Sequence, residues 1–215
     1  MSTRRPAAPV LPPVRSFDTP VHTPGGALRG QAGTVSATPL LTAMLESVGG
    51  PAVVVNAHRD ILVGNEALAT LVGVPKAALV GRRLGEVLGC VHAFEAPGGC
   101  GTTEACAWCG AAQALRSARL ERRPAAQECR IQVAGEQGDE TLNMGVTASP
   151  LDIGPLQTLM VTLRDTSDAQ RRQVLERMFF HDALTAAGGL RGLMEVWPDL
   201  DPAEAQALAP AAAKL

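Results

Sequence analysis

Between positions 90 and 109 the chain reads CVHAFEAPGGCGTTEACAWC, and four of its five cysteines stand there at the spacing C-x9-C-x5-C-x2-C. No long regular element absorbs such a stretch. Gly98, Gly99 and Gly101 interrupt it and Gly89 and Gly110 flank it. Glycines permit the close backbone approach needed where several side chains converge. The fold must therefore present an irregular loop between ordered elements. Cys106 and Cys109 are one helical turn apart, so both thiols can face one point. Thiolates meet a metal at about 2.3 Å, and four of them satisfy either tetrahedral zinc or an iron–sulfur cluster. Cys90, Cys100, Cys106 and Cys109 are the candidate ligands, with His92 and Glu95 able to substitute or to support them. A metal-free reversible disulfide between Cys106 and Cys109 is a third reading. Cys129, on an alternating strand face, is expected in the core.

The 215 residues, 46% of them hydrophobic, sustain one full core plus a smaller element. A net charge of −2 argues against a nucleic-acid partner, and so do 3% aromatics without Tyr. No apolar run reaches the length of a membrane span, about 18 residues. Pro9, Pro12 and Pro13 break the segment where the apolar part of an export signal would lie. A cytoplasmic protein is expected, and in a reducing compartment clustered cysteines favour ligation or redox work over a disulfide frame.

Residues 1–37, rich in Pro, Gly, Ser and Thr, read as a disordered leader. Order is expected from Thr38, an N-cap before Pro39, with apolar residues at helical spacing up to Gly49. Ala52–Val55 and Ile61–Val63 are strand-like, joined by a polar turn at His58-Arg59-Asp60. Short helices follow Asn65 and Pro75, residues 81–88 lead into the cysteine loop, and a further helix is expected from Cys106 to about Arg119. Three strands come next, at 128–134, 141–149 and 156–163, with turns at 135–139 and 152–155. The fold class is α+β, an antiparallel five-stranded sheet with flanking short helices. His22 and His58 are expected to be solvated.

That order resembles a PAS domain over roughly residues 38–166. The residues carrying the resemblance are ILVGNEALATLVG with Asn65 at its junction, LVGRRLGEVL, and the exit RDTSD, where Asp165-Thr166-Ser167 is similar to the Asp-x-Thr junction that hands a PAS signal to a helix. Asn65 also reads as a plain helix N-cap. PAS-type sensors carry haem, flavin or iron–sulfur groups, so the resemblance favours an iron–sulfur cluster over zinc on the four cysteines, and a redox or gas sensor as the activity.

From Asp168 a long helix is expected, with Val174, Met178, Leu184, Leu190, Leu193, Met194 and Trp197 along an apolar stripe and Pro198-Asp199 as its stop. One helix cannot bury that stripe alone, which predicts a homodimer. On this helix FFHDALT resembles the phosphoacceptor box of sensor histidine kinases, with His181 as phosphoacceptor and Asp182 and Thr185 in support. A neutral imidazole attacks a phosphoryl group, a carboxylate orients its proton, and a hydroxyl four residues on shares the face. Ala186 stands where the family commonly has Pro. Asp201-Pro202-Ala203-Glu204 begins a second helix that the chain cuts short at Leu215, so residues 167–215 read as a signalling helix and a partial dimerisation hairpin. No phosphate-binding Gly-rich loop occurs, and the resemblance implies a response regulator and an ATP-binding kinase domain acting in trans. The rival readings are a phosphotransfer protein with a structural zinc clip, and a non-catalytic interaction module.

Overall fold

The computed structural model describes residues 21–135 and 138–196. Five strands, β1 (Ala52–Val55), β2 (Ile61–Gly64), β3 (Ala125–Gly135), β4 (Gly138–Ile153) and β5 (Leu156–Asp165), form one antiparallel sheet in the order β2-β1-β5-β4-β3. The chain divides into two compact units, one ending at Thr166 and the other beginning at Ser167. The α+β architecture read from the sequence is the observed one.

The sheet is covered on both faces, and β1 shows why. All four of its residues are buried, without the alternation of a half-exposed strand. Val53 and Val55 face one core, with Ile61, Leu68, Leu79, Leu115, Ile131, Val146 and Val161. Ala52 and Val54 face the other, with Val35, Leu41, Leu45 and Leu62. The second core is built by α1 (Gly25–Ser36) and α2 (Pro39–Ser47).

This corrects the boundary of the expected leader. Residues 25–36 are helical although four glycines fall within them, because Val35 is fully buried and Leu28 packs against the same core. Burial against the sheet outweighs the roughly 1 kcal/mol that each helical Gly costs. Residues 1–20 lie outside the described residues. Thr38 and Pro39 do open α2, but the Thr38 hydroxyl donates to the Thr34 carbonyl of α1 and caps nothing.

Asn65 caps α3 (Glu66–Val72) and does more. Its Oδ1 accepts from Leu68 N (3.0 Å) and Ala52 N (2.9 Å), and its Nδ2 donates to the Leu45 and Gly50 carbonyls. One side chain thus ties α3, β1 and the end of α2. Gly73 closes α3 in the left-handed conformation, as helix C-termini favour.

The expected helix from Cys106 is two pieces. A 3₁₀ turn covers Ala105–Trp108, and α5 (Gly110–Glu121) starts after Cys109. The break is at Cys109, whose backbone is extended (φ −68°, ψ 121°), and at Gly110 a Cβ would overlap the Glu128 carbonyl oxygen and lie 3.4 Å from Cys129 Cα. The start of α5 therefore rests directly on β3. Gly110→Ala is expected to cost about 1–3 kcal/mol of stability, as overpacking does, read as a lower denaturation midpoint.

Strands β3 and β4 run longer than predicted and leave only 136–137 between them. The turn at 152–155 narrows to Gly154-Pro155, with Gly154 at positive φ. In the second unit α6 (Ser167–Val196) is a single helix. Trp197, the Pro198-Asp199 stop and the expected hairpin helix after Asp201 lie outside the described residues. No helix among the described residues is long and apolar enough to cross a membrane.

Candidate functional site

Helix α4 (Leu84–Val87) leads into the cysteine loop, which folds back over the face of the sheet opposite α1 and α2. A cavity of about 180 Å³ lies beneath it, and all five cysteines line it. The four sequence-predicted residues, Cys90, Cys100, Cys106 and Cys109, are therefore brought to one place. Cys129 joins them from β3, where it faces inward beside Ile131, as its alternation indicated. A Cβ at Gly85 would stand 2.6 Å from Cys100 Sγ and 3.4 Å from Cys90 Cβ, so only Gly lets these two side chains pass α4. Cys106 Sγ accepts from Gly101 N (3.3 Å) and contacts Thr103 Oγ1 (3.1 Å). Cys109 Sγ lies 3.4 Å from Cys129 Sγ. Among the described residues no three His, Cys, Asp or Glu side chains stand close enough to share one metal ion. The thiols ring a space and do not converge on a point.

The loop is held by buried charge. Arg83, 1% exposed, donates through Nη1 to the Gly98 and Cys100 carbonyls, and Arg59 Nη2 also reaches the Cys100 carbonyl. Arg59 adopts a left-handed backbone (φ 69°), which aims its side chain from the β1–β2 turn into the cavity wall. Burial, then the neighbouring Arg83, pulls the Arg59 guanidinium down to about 10, still charged at neutral pH. Asp60, fully buried, stands 3.6 Å from Arg83 Nε, and it accepts from Thr23 N (2.7 Å) and pairs with His22 Nδ1 (2.7 Å). Glu86 accepts from Arg83 N and Cys100 N. Of the turn read as polar, Arg59 and Asp60 are buried in an ionic hub, while His58 stays partly exposed, its ring against the Val21 carbonyl. His22, expected to be solvated, is a member of that hub.

Burial pushes the thiols of Cys90 and Cys100 up, the latter to about 12. Cys109 goes the other way. The contact with Cys129 holds it below the ordinary thiol range against the opposing effect of burial, and the N–H groups of Ala112 and Ala111 add to this. Cys129 is pushed up by that same contact and by burial. Because the thiolate is the reactive form, metal-free reduced protein is expected to be alkylated near neutral pH at Cys109 first, with Cys100 and the buried Cys129 slow. Timed alkylation read by peptide mass checks this, and Cys100 reacting ahead of Cys109 contradicts it.

On α6 the predicted residues are at the surface. His181 and Asp182 are each 78% exposed, with Nδ1 to Oδ1 at 3.2 Å, while the Thr185 hydroxyl donates to the His181 carbonyl at 2.9 Å. His92 pairs with Glu95 (2.9 Å) near the cavity, where His92 alone of the two forms part of the wall.

No family model matches the chain, and no curated protein matches it. Solved structures similar to it include the PAS domain of Bordetella pertussis BvgS, with 15% identity and a TM-score of 0.41 over 67% of this chain and 98% of that one. The PAS domain of nitrogen regulation protein NR(II) from Vibrio parahaemolyticus is similar at 19% identity and a TM-score of 0.41, over 59% of this chain and 97% of that one. The sheet itself is five-stranded and antiparallel, in the order β2-β1-β5-β4-β3, with a core on each face. The first unit places its cysteine cavity between sheet, α4 and α5.

Sequence reasoning missed Cys129, Arg59, Arg83 and Asp60 as members of the site. Only Cys129 carried a signal, in its inward alternation.

Proposed function

We propose that the chain is a cytoplasmic redox sensor of two-component type, in which cavity cysteines hold an iron–sulfur cluster and the helix that follows carries a phosphoacceptor histidine. The observation that carries this reading is the cavity itself, lined by five cysteines and by two buried arginines. Four thiolates around an iron–sulfur or zinc centre leave a net negative charge, and two desolvated guanidiniums beside it favour such an anion. A cluster is favoured over zinc here because thiols ring a space of about 180 Å³, which has room for a centre of several atoms. Cys90, Cys100, Cys106 and Cys109 are the proposed ligands. Held by these four residues, such a cluster would supply an oxygen-labile redox centre between the loop and the start of α5. The chain's own residues do the rest: Arg83 and Glu86 hold the loop backbone at Cys100, Gly85 and Gly110 allow the close approaches, and the apolar walls limit water.

The output half rests on separate observations. The contact between His181 Nδ1 and Asp182 selects the tautomer that leaves Nε2 as the nucleophile. Val174, Leu175, Met178, Phe179, Phe180 and Leu184 are all more than half exposed in the single chain, and a second copy would cover them. A response regulator and an ATP-binding kinase domain would act in trans. The test is twofold. Anaerobic protein should be brown and bleach in air, with the colour lost in Cys100→Ser. A separate histidine-kinase catalytic domain with ATP should label the wild type and not His181→Gln. Equal labelling of the variant overturns the phosphoacceptor half, and colourless protein carrying one zinc per chain overturns the sensor half.

A further inference from the structure

We propose that Cys109 and Cys129 form a peroxide-reactive dithiol that closes to an intramolecular disulfide in the metal-free protein. Three observations place it. The two sulfurs are 3.4 Å apart. The backbones that carry them already touch, because Gly110 sits where any side chain would overlap the Glu128 carbonyl, with Cys129 Cα in contact range. A disulfide requires the two Cα atoms within about 7 Å, and the close approach of the residue next to Cys109, together with the 3.4 Å between the sulfurs, favours that geometry. Cys109 is half-buried on the wall of the cavity, whereas Cys129 is 3% exposed, so an oxidant reaches Cys109 and Cys129 resolves it. Cys106, the partner expected from the CxxC spacing, has its sulfur engaged by Gly101 N and Thr103 Oγ1.

The oxidant is a hydroperoxide, hydrogen peroxide in the simplest case. The Cys109 sulfur attacks one peroxide oxygen, the O–O bond breaks, and the other oxygen leaves as water once protonated. This yields a Cys109 sulfenic acid, oxidised by two electrons. The Cys129 sulfur then displaces that oxygen, which departs as a second water with the Cys129 proton. In sum, two thiols and one hydrogen peroxide give one disulfide and two waters. The dithiol needs no metal. Its consequence for sensing, that the disulfide removes Cys109 from the ligand set and traps the cluster-free state, rests on the proposed function.

The test uses the full-length chain, reduced and metal-free, treated with hydrogen peroxide, alkylated and mapped by peptide mass. A Cys109–Cys129 link with the other three thiols alkylated is the expected result. It should persist in Cys106→Ser, and in Cys129→Ser it should be replaced by a sulfenic acid trapped on Cys109. A Cys106–Cys109 link, or Cys129 still fully alkylated after peroxide, overturns the proposal. The wild-type map decides even if a variant fails to fold. Because the protein in this test carries no metal, a negative result leaves the cluster reading standing, and a protein that never binds iron still yields the disulfide.

Discussion

Asp60→Ala is expected to lower stability by about 3–5 kcal/mol, read by chemical denaturation, and to loosen the cysteine loop. The carboxylate is fully buried 3.6 Å from an Arg83 that is 1% exposed, so solvent screening offers little relief. Its removal leaves Arg59 and Arg83 neighbouring each other in the cavity wall without that counter-charge, and it strips Thr23 N and His22 of their acceptor. Arg83 also carries the Gly98 and Cys100 carbonyls, so its displacement propagates into the loop. Asp152→Ala is the control. Its ion pair with Arg122 is about half-exposed on both sides and is expected to cost under about 1 kcal/mol. Equal effects of the two variants would show that the buried pair is not what holds the loop.

The second large effect is at Asn65. Asn65→Ala removes four hydrogen bonds made by one fully buried side chain, two to backbone N–H groups and two to backbone carbonyls. An exposed N-cap loses about 1 kcal/mol on such a change. Here the groups left behind are largely shut off from water, and a buried unsatisfied group costs about 1–3 kcal/mol, so the loss should reach about 3–5 kcal/mol. Asn65→Asp keeps the two accepting contacts and loses both donors, and should fall between. A loss near 1 kcal/mol for Asn65→Ala would mean that the side chain is only a cap.

What could be read ahead of the structure followed the range of the interaction. Asn65 declared itself locally, since a cap acts three residues along the chain, yet its ties to Leu45 and Gly50 depend on where α2 ends in space. The strands of the sheet were visible as β-branched runs bounded by turn residues, and the four loop cysteines by their crowding. Helix α1 was not, because four of its twelve residues are glycine and what stabilises it is the far face of β1. The unbroken AVVV run did hold that information, since a strand without alternation needs cover on both sides. His58-Arg59-Asp60 was legible as a polar turn, but not the burial of Arg59 and Asp60, which depends on the cysteine loop folding over them, a contact spanning 41 residues between Arg59 and Cys100. Cys129 showed its inward direction, but nothing nearby in sequence identified Cys109 as the group opposite.

The most direct test of the central claim is the iron, acid-labile sulfide and zinc content of protein purified without oxygen. Iron and sulfide in roughly equal amounts, both lost in Cys100→Ser, is the result the cavity of thiols and buried arginines predicts. Stoichiometric zinc without sulfide would contradict it.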